Sequence, residues 1–143
     1  MLDDISSARS SIHINQFGFR PGLVGDGFAD ALARKAQEGV SVRLVVDRQG
    51  SDPERSARQH YERLRAAGIE VCVVRATKAR TTVGPLGAGG ATRWNLAGLG
   101  HIDHRKVVIV DGRIGWIGGA GIEDHFNDGR FHDLFLRLSG PVV

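Results

Sequence analysis

The 143-residue sequence holds one cysteine, Cys72. No disulfide can close within the chain, so its cysteine use makes no demand for an oxidising compartment. The surrounding "EVCVV" predicts a buried, inert thiol. Long apolar runs are missing too. No stretch approaches the roughly 18 to 20 residues that a membrane-spanning helix needs. The opening "MLDDISSARS" has neither the basic start nor the apolar middle of a signal peptide. As given, the chain reads as soluble. It also lacks concentrated blocks of Lys and Arg: 19 basic residues against 16 acidic ones leave a net charge of +3. That balance suits an anionic substrate without marking a dedicated nucleic-acid binder. There is no internal repeat and no complete metal-binding signature.

What is present is an alternation of strand and helix signals over a length that suits one domain. "SIHINQF" (11–17) alternates as a strand. Asp26 then serves as the expected cap of a helix whose apolar side is Phe28, Leu32 and Ala36, with Gly39 placed to stop it. A second strand follows at 40–47. The next helix opens either on a Ser51–Glu54 capping box or on Asp52 with Pro53 in the first turn. Its stripe is Ala57, Tyr61 and Leu64, Gly68 ends it, and "IEVCVV" (69–74) is the third strand.

This β-α-β-α-β order is the grammar of an α/β domain. Residues 76–100 carry six glycines and no periodicity, the pattern of a long loop that is either functional or mobile. Within it Arg93 and Lys78 are candidate phosphate contacts, and Trp94 can stack on a ligand or pin the loop. "RKVVIV" (105–110) and "RIGWIGG" (113–119) form a predicted hairpin about the turn dipeptide "DG". Residues 131–139 make a last strand with one strongly apolar face. The expected fold is therefore α/β, a mixed sheet with flanking helices. Right-handed crossovers put both main helices on one face and leave the other with little cover. That imbalance, with the apolar ending "SGPVV", suggests a unit that packs against a second, similar unit or is part of a longer chain.

The densest chemistry is "HIDHRKVVIVDG" (101–112). Residues two apart share a strand face, so His104 and Lys106 are expected to point together, with Arg105 opposite. An imidazole that can attack or shuttle protons then stands beside a cation that can hold a phosphate oxygen. With Asp111 the string is H-x-K-x-x-x-x-D, and six residues later comes "GGAG", Gly118 to Gly121. This pattern resembles the defining motif of the phospholipase D superfamily. The flanking "GVSVRLVVDRQGS" and "FHDLFLRLSGPVV" resemble segments of bacterial cardiolipin synthases. The likeness covers residues 1–143 as one phospholipase D-like domain with a single motif, comparable to the N-terminal half of such an enzyme.

The resemblance implies phosphodiester hydrolysis or transphosphatidylation on phospholipids through a covalent phosphohistidine. Two H-x-K units, from two halves or two subunits, would converge on one site. His104 would be nucleophile or general acid, Lys106 the phosphate clamp, and Asp133 the carboxylate that orients the imidazole. The Gly118–Gly119 bend would let backbone approach the substrate, and Asp111 would serve mainly the turn. No cofactor or metal is implied. Peripheral membrane contact is, with a bacterial setting, cytoplasmic or membrane-associated in a longer protein. The chemistry is coherent in itself: a phosphodiester anion repels nucleophiles, lysines neutralise its oxygens, and a neutral imidazole is a competent nucleophile near pH 7.

One position departs from the pattern, for the motif's final asparagine is Gly121 here. Three rival readings follow from the same residues. One is a single-motif homodimeric nuclease, which the modest charge disfavours. Another is a non-catalytic half that binds anionic headgroups or a partner half. The third is a zinc site drawn from His101, Asp103, His104, Asp124, His125, Asp128, His132 and Asp133, against which strand alternation separates His101 from His104. Whether water or an alcohol is the acceptor stays open, as does the headgroup.

Overall fold

Alternation along residues 11–16 puts Ile12, Ile14 and Gln16 on one side of strand β1 (Ser11–Gln16), and all three are buried. The computed structural model describes residues 1–51, 55–74 and 102–141. A short helix α1 (Leu2–Ser6) precedes β1; α2 (Leu23–Gln37), β2 (Ser41–Asp47), α3 (Arg48–Ser51), α4 (Arg55–Ala66) and β3 (Glu70–Val74) follow. Then come β4 (Lys106–Val110), β5 (Ile114–Gly118) and β6 (Phe135–Ser139). The six strands form one sheet in the order β3-β2-β1-β4-β5-β6. β1, β2 and β3 are parallel, while β4, β5 and β6 add antiparallel to the other edge of β1. This is the expected mixed α/β sheet.

The core lies on one face. Ile12, Ile14, Val42, Leu44, Val46, Val108 and Val110 meet Ala29 and Leu32 of α2 and Ala57, Tyr61 and Leu64 of α4. Burying each large aliphatic chain contributes about 1.5–3 kcal/mol. The opposite face carries Val45, Val107, Ile109, Ile117, Leu136 and Leu138, and among these Ile117, Leu136 and Leu138 are exposed. The imbalance expected from crossover handedness is thus present among the described residues. The last strand is shorter than the alternation predicts: residues 131–134 lie outside it, and Leu134 is exposed.

The helix stops and the hairpin turn form where the local sequence puts them, and the cap of α2 does not. Gly39 and Gly68 take left-handed φ values of 88° and 92° where α2 and α4 end. Asp111 and Gly112, at φ 55° and 60°, make the tight turn joining β4 to β5, closed by Arg113 N–H donating to the Val110 carbonyl at 3.0 Å. Asp26 does not cap α2. The helix begins earlier, and the carboxylate of Asp124 accepts from the backbone N–H groups of Leu23 and Val24 at 3.0 and 2.8 Å. Such a long-range cap leaves no signal within one helical turn of sequence. Asp26 instead faces His60 at 3.3 Å and Arg63 at 3.5 Å.

Ser51 closes α3, and its hydroxyl donates to the Phe17 carbonyl and accepts from Phe19 N–H. Asp52, Pro53 and Glu54 lie outside the described residues, as do Lys78, Arg93, Trp94 and His101. Cys72 overturns its expectation, for the thiol is exposed. Strand β3 is the sheet edge, and register with Val45 puts Cys72 on the uncovered face. Among the described residues no helix is long and apolar enough to cross a membrane.

Candidate active site

Lys106 opens β4 opposite Gln16, the last residue of β1. Because β4 runs antiparallel to β1, its first residue meets the carboxyl ends of the parallel strands, where open α/β sheets place their sites. The approach to β4 is held from both sides. Asp47, buried at the end of β2, accepts from Asp103 N–H at 2.8 Å. Asn15 donates to the Asp103 carboxylate at 3.0 Å, and Phe17 N–H donates to the Arg105 carbonyl at 3.0 Å. Asp103 and Arg105 pair with each other on the far side of the strand. The Arg105 guanidinium, acting against burial and aided by Asn15, holds the Asp103 carboxyl well below the usual carboxylate range.

Between these two residues the chain turns His104 to the site. Its ring is exposed and rests on Phe17, centroids 4.6 Å apart. The Lys106 ammonium lies 3.3 Å from Nδ1, 3.2 Å from Nε2 and 3.1 Å from the carbonyl oxygen of His104, and 5.3 Å from the Phe17 ring centre. Lys106 is only 5% exposed. Burial pushes its pKa down, and Asp133 and Glu123 act through space to raise it. Among the described residues no carboxylate lies within ion-pair distance of the ammonium. A buried cation lacking a direct counter-ion, beside an exposed imidazole, is a place for an anion.

The family model described as "Cardiolipin synthase, PLD-like domain" matches residues 1–131. The chain belongs to that family. The major cardiolipin synthase ClsA of Bacillus subtilis is 34% identical over 148 aligned positions, covering 100% of this chain and 28% of that protein. The chain thus spans about a quarter of that curated relative. Among solved structures, the phospholipase D family member Nuc from Salmonella typhimurium superposes with a TM-score of 0.70 at 19% identity, covering 99% of this chain and 74% of that one. The phosphatidylserine synthase of Haemophilus influenzae gives 0.68 at 16%, covering 97% and 30%. These likenesses show a phospholipase D fold.

Within this cardiolipin synthase-like domain, the motif residues divide between two ends of the sheet. His104 and Lys106 are together at one end. Asp111 is at the other, its carboxylate accepting from the backbone N–H groups of Arg9, Ser10 and Ser11 and from the Ser10 hydroxyl at 2.8–2.9 Å. Burial works against ionisation there, but these hydrogen bonds win and hold the carboxyl far below its ordinary range. Asp111 ties the turn to the entry of β1. The two glycines are close-approach positions: a Cβ at Gly118 would strike the Phe135 ring, and one at Gly119 the Asp133 carboxylate.

Asp133 is exposed rather than enclosed by its apolar sequence neighbours, because residues 131–134 leave the strand. It makes no hydrogen bond to His104 among the described residues. No group of three His, Cys, Asp or Glu side chains placed to hold a metal occurs among the described residues, and His101 of the zinc reading lies outside them. Residues that the sequence did not single out are Phe17, which seats both His104 and Lys106, Asp47, which holds the Asp103 backbone, and Glu123, which pairs with Arg20 at 3.2 Å. Phe17 read only as the end of a strand. Glu123 sat in a run of acidic and imidazole side chains with nothing to single it out.

Proposed function

We propose that this chain supplies one half-site of a phosphodiesterase or phosphatidyltransferase acting on phospholipids, and that a second H-x-K unit completes it. The observation that carries the reading is the buried Lys106 ammonium against the exposed His104 ring, in a domain of the cardiolipin synthase family. Lys106 holds a non-bridging oxygen of the diester. His104 attacks phosphorus, forming a N–P bond as the P–O bond to the leaving alkoxide breaks, and the imidazole of the second unit protonates that alkoxide. Water or an alcohol then displaces His104. Gly118 and Gly119 bring backbone close to the phosphate, and Asp133 supplies a carboxylate on the same side. Arg93 is a further phosphate contact in this reading.

A phospholipid fits better than a nucleic acid. Among the described residues around the site Arg20 pairs with Glu123, Arg105 with Asp103 and Arg130 with Asp128, so these three guanidiniums are already matched and offer little to a long polyanion. Peripheral contact with a bacterial membrane goes with this substrate.

The test is incubation with headgroup-labelled phosphatidylglycerol vesicles and, in parallel, single-stranded DNA, followed by mass analysis for acid-labile phosphate on the His104 peptide. Sedimentation, and the coding sequence beyond residue 143, report the second unit. Headgroup release with a phosphorylated His104, unaffected by chelators, is the expected result. DNA cleavage alone would replace the lipid reading with the nuclease. Headgroup binding without release in an assembled two-unit protein would leave only the binding half.

A further inference from the structure

The turn from β2 into α3 touches both segments that meet at the site. On one side the Asp47 carboxylate accepts from Asp103 N–H at 2.8 Å, while its other oxygen accepts from Gln49 N–H at 2.7 Å and fixes the start of α3. On the other side lies Ser51, which is fully buried. Its hydroxyl donates to the Phe17 carbonyl at 2.6 Å and accepts from Phe19 N–H at 3.0 Å. The Tyr61 hydroxyl lies 2.5 Å from the Phe19 carbonyl oxygen and 2.9 Å from that of Ser51. Arg20 Nε donates to the Gly50 carbonyl at 2.7 Å. A Cβ at Gly50 would stand 2.3 Å from the Phe17 carbonyl oxygen and 2.8 Å from its ring. Residues 17–20 thus lie directly against α3, and the Phe17 ring leaves that segment to meet His104 and Lys106.

We infer that Ser51 is a positioning residue of this site: its hydroxyl, bridging the backbone of Phe17 and Phe19, sets the Phe17 ring on which the His104 imidazole rests. A nucleophilic imidazole has to be held at one angle to phosphorus. Among the described residues His104 has no carboxylate partner. Its ring meets Phe17, centroids 4.6 Å apart and planes tilted by 50°, and the Lys106 ammonium, itself 5.3 Å from the Phe17 ring centre. Phe17 is therefore the surface common to both groups. Without the Ser51 hydroxyl the buried Phe19 N–H loses its acceptor and the Phe17 carbonyl its donor, and the segment shifts to recover partners. The ring moves with it.

The inference rests on the phosphodiester reading and deepens it by naming what holds the nucleophile, but its first readout stands apart from turnover. In protein carrying 13C-labelled histidine, the His104 ring signals are assigned by their loss in His104→Gln. They are read on the alkaline plateau of their titration, where charge no longer moves them and the Phe17 ring current does. In Ser51→Ala, and separately in Gly50→Ala, which keeps the hydroxyl but presses on Phe17, that displacement is expected to shrink toward its value in Phe17→Leu. Adding Ser51→Ala to Phe17→Leu is expected to move the signals no further, because the two residues act in series. For lipid cleavage by the assembled protein, Ser51→Ala is expected to lower kcat roughly ten- to a hundredfold with KM little changed.

Ser51→Ala deletes one oxygen atom and introduces no clash. Should it fail to fold, Gly50→Ala decides, since Gly50 is not in the left-handed region and its backbone accepts alanine. Unmoved His104 signals in the folded variants overturn the proposal even if activity is lost. So does a further shift when Ser51→Ala is added to Phe17→Leu, and so do moved signals with an unchanged kcat. Moved signals in a protein that cleaves no phosphodiester uphold it and remove only the proposed reaction.

Discussion

Lys106 reaches back over the strand to the residue two before it, its ammonium spanning both ring nitrogens of His104 at 3.2 and 3.3 Å while donating to that residue's carbonyl oxygen. Strand alternation brings the two side chains to one face, and burial of the lysine stem fixes how they meet.

If that ammonium is the clamp, Lys106→Ala should lower kcat/KM for phospholipid cleavage by roughly 10²–10³, and His104→Ala should abolish the phosphorylated intermediate. Lys106→Arg should not restore activity, because a planar guanidinium cannot take the place of a compact ammonium in a buried position. Steady-state kinetics beside thermal melts check this. Equal losses in a melted and a folded variant would mean that the assay reports folding.

Acid should loosen two ties between the first residues of the chain and the antiparallel half of the sheet. Arg137 and Trp116 hydrogen-bond the Asp4 carboxyl, and Arg137 leads in pulling its pKa down to about 2 from 3.8. The Asp111 carboxyl is lowered as well. Groups with depressed folded pKa values stabilise above the unfolded pKa, and that stabilisation fades as pH drops below about 4. Asp111→Ala should cost on the order of 2 kcal/mol at pH 7 and much less at pH 2. Asp4→Asn should show the same narrowing. Urea midpoints at pH 7, 4 and 2 measure both.

Adding a methyl group at each glycine of the bend should have different consequences. Gly119→Ala displaces the exposed Asp133 carboxylate, so we expect a loss of activity of about tenfold with little change in Tm. Gly118→Ala meets the Phe135 ring, which has less freedom to yield, and should cost about 1–3 kcal/mol of stability. A double comparison by melting and turnover separates them.

Cys72 should react with a thiol reagent in the folded protein at a rate close to that of the urea-unfolded chain, because the native thiol is exposed. Protection of tenfold or more would show that the uncovered face is covered in solution.

Much of this was legible beforehand, and the misses share a cause. Period-two alternation, the Asp-Gly turn and the helix-ending glycines are local signals, and β1, β2, β4 and the hairpin follow from them. His104 and Lys106 were legible for the same reason, being two residues apart. Cys72 was misread because apolar neighbours tell nothing about whether a strand lies at the edge. Asp124 as the cap of α2, Asp47 beneath Asp103 and Glu123 beside Gly18 are contacts between segments 56 to about 100 residues apart. No window of sequence contains both partners.

β1 is where the parallel and antiparallel halves of the sheet are joined, and the candidate site is built across that seam, with Phe17 on one side and Lys106 some ninety residues later on the other. The antiparallel half carries His104 and Lys106 themselves, but Phe17, the ring against which both rest, comes from the end of β1. Seating that pair on Phe17 waits on closure of a long span of chain, an entropic toll that grows slowly with length but must be met before the two sides touch. Competence for chemistry should therefore appear late in folding and vanish in one step when the two halves part.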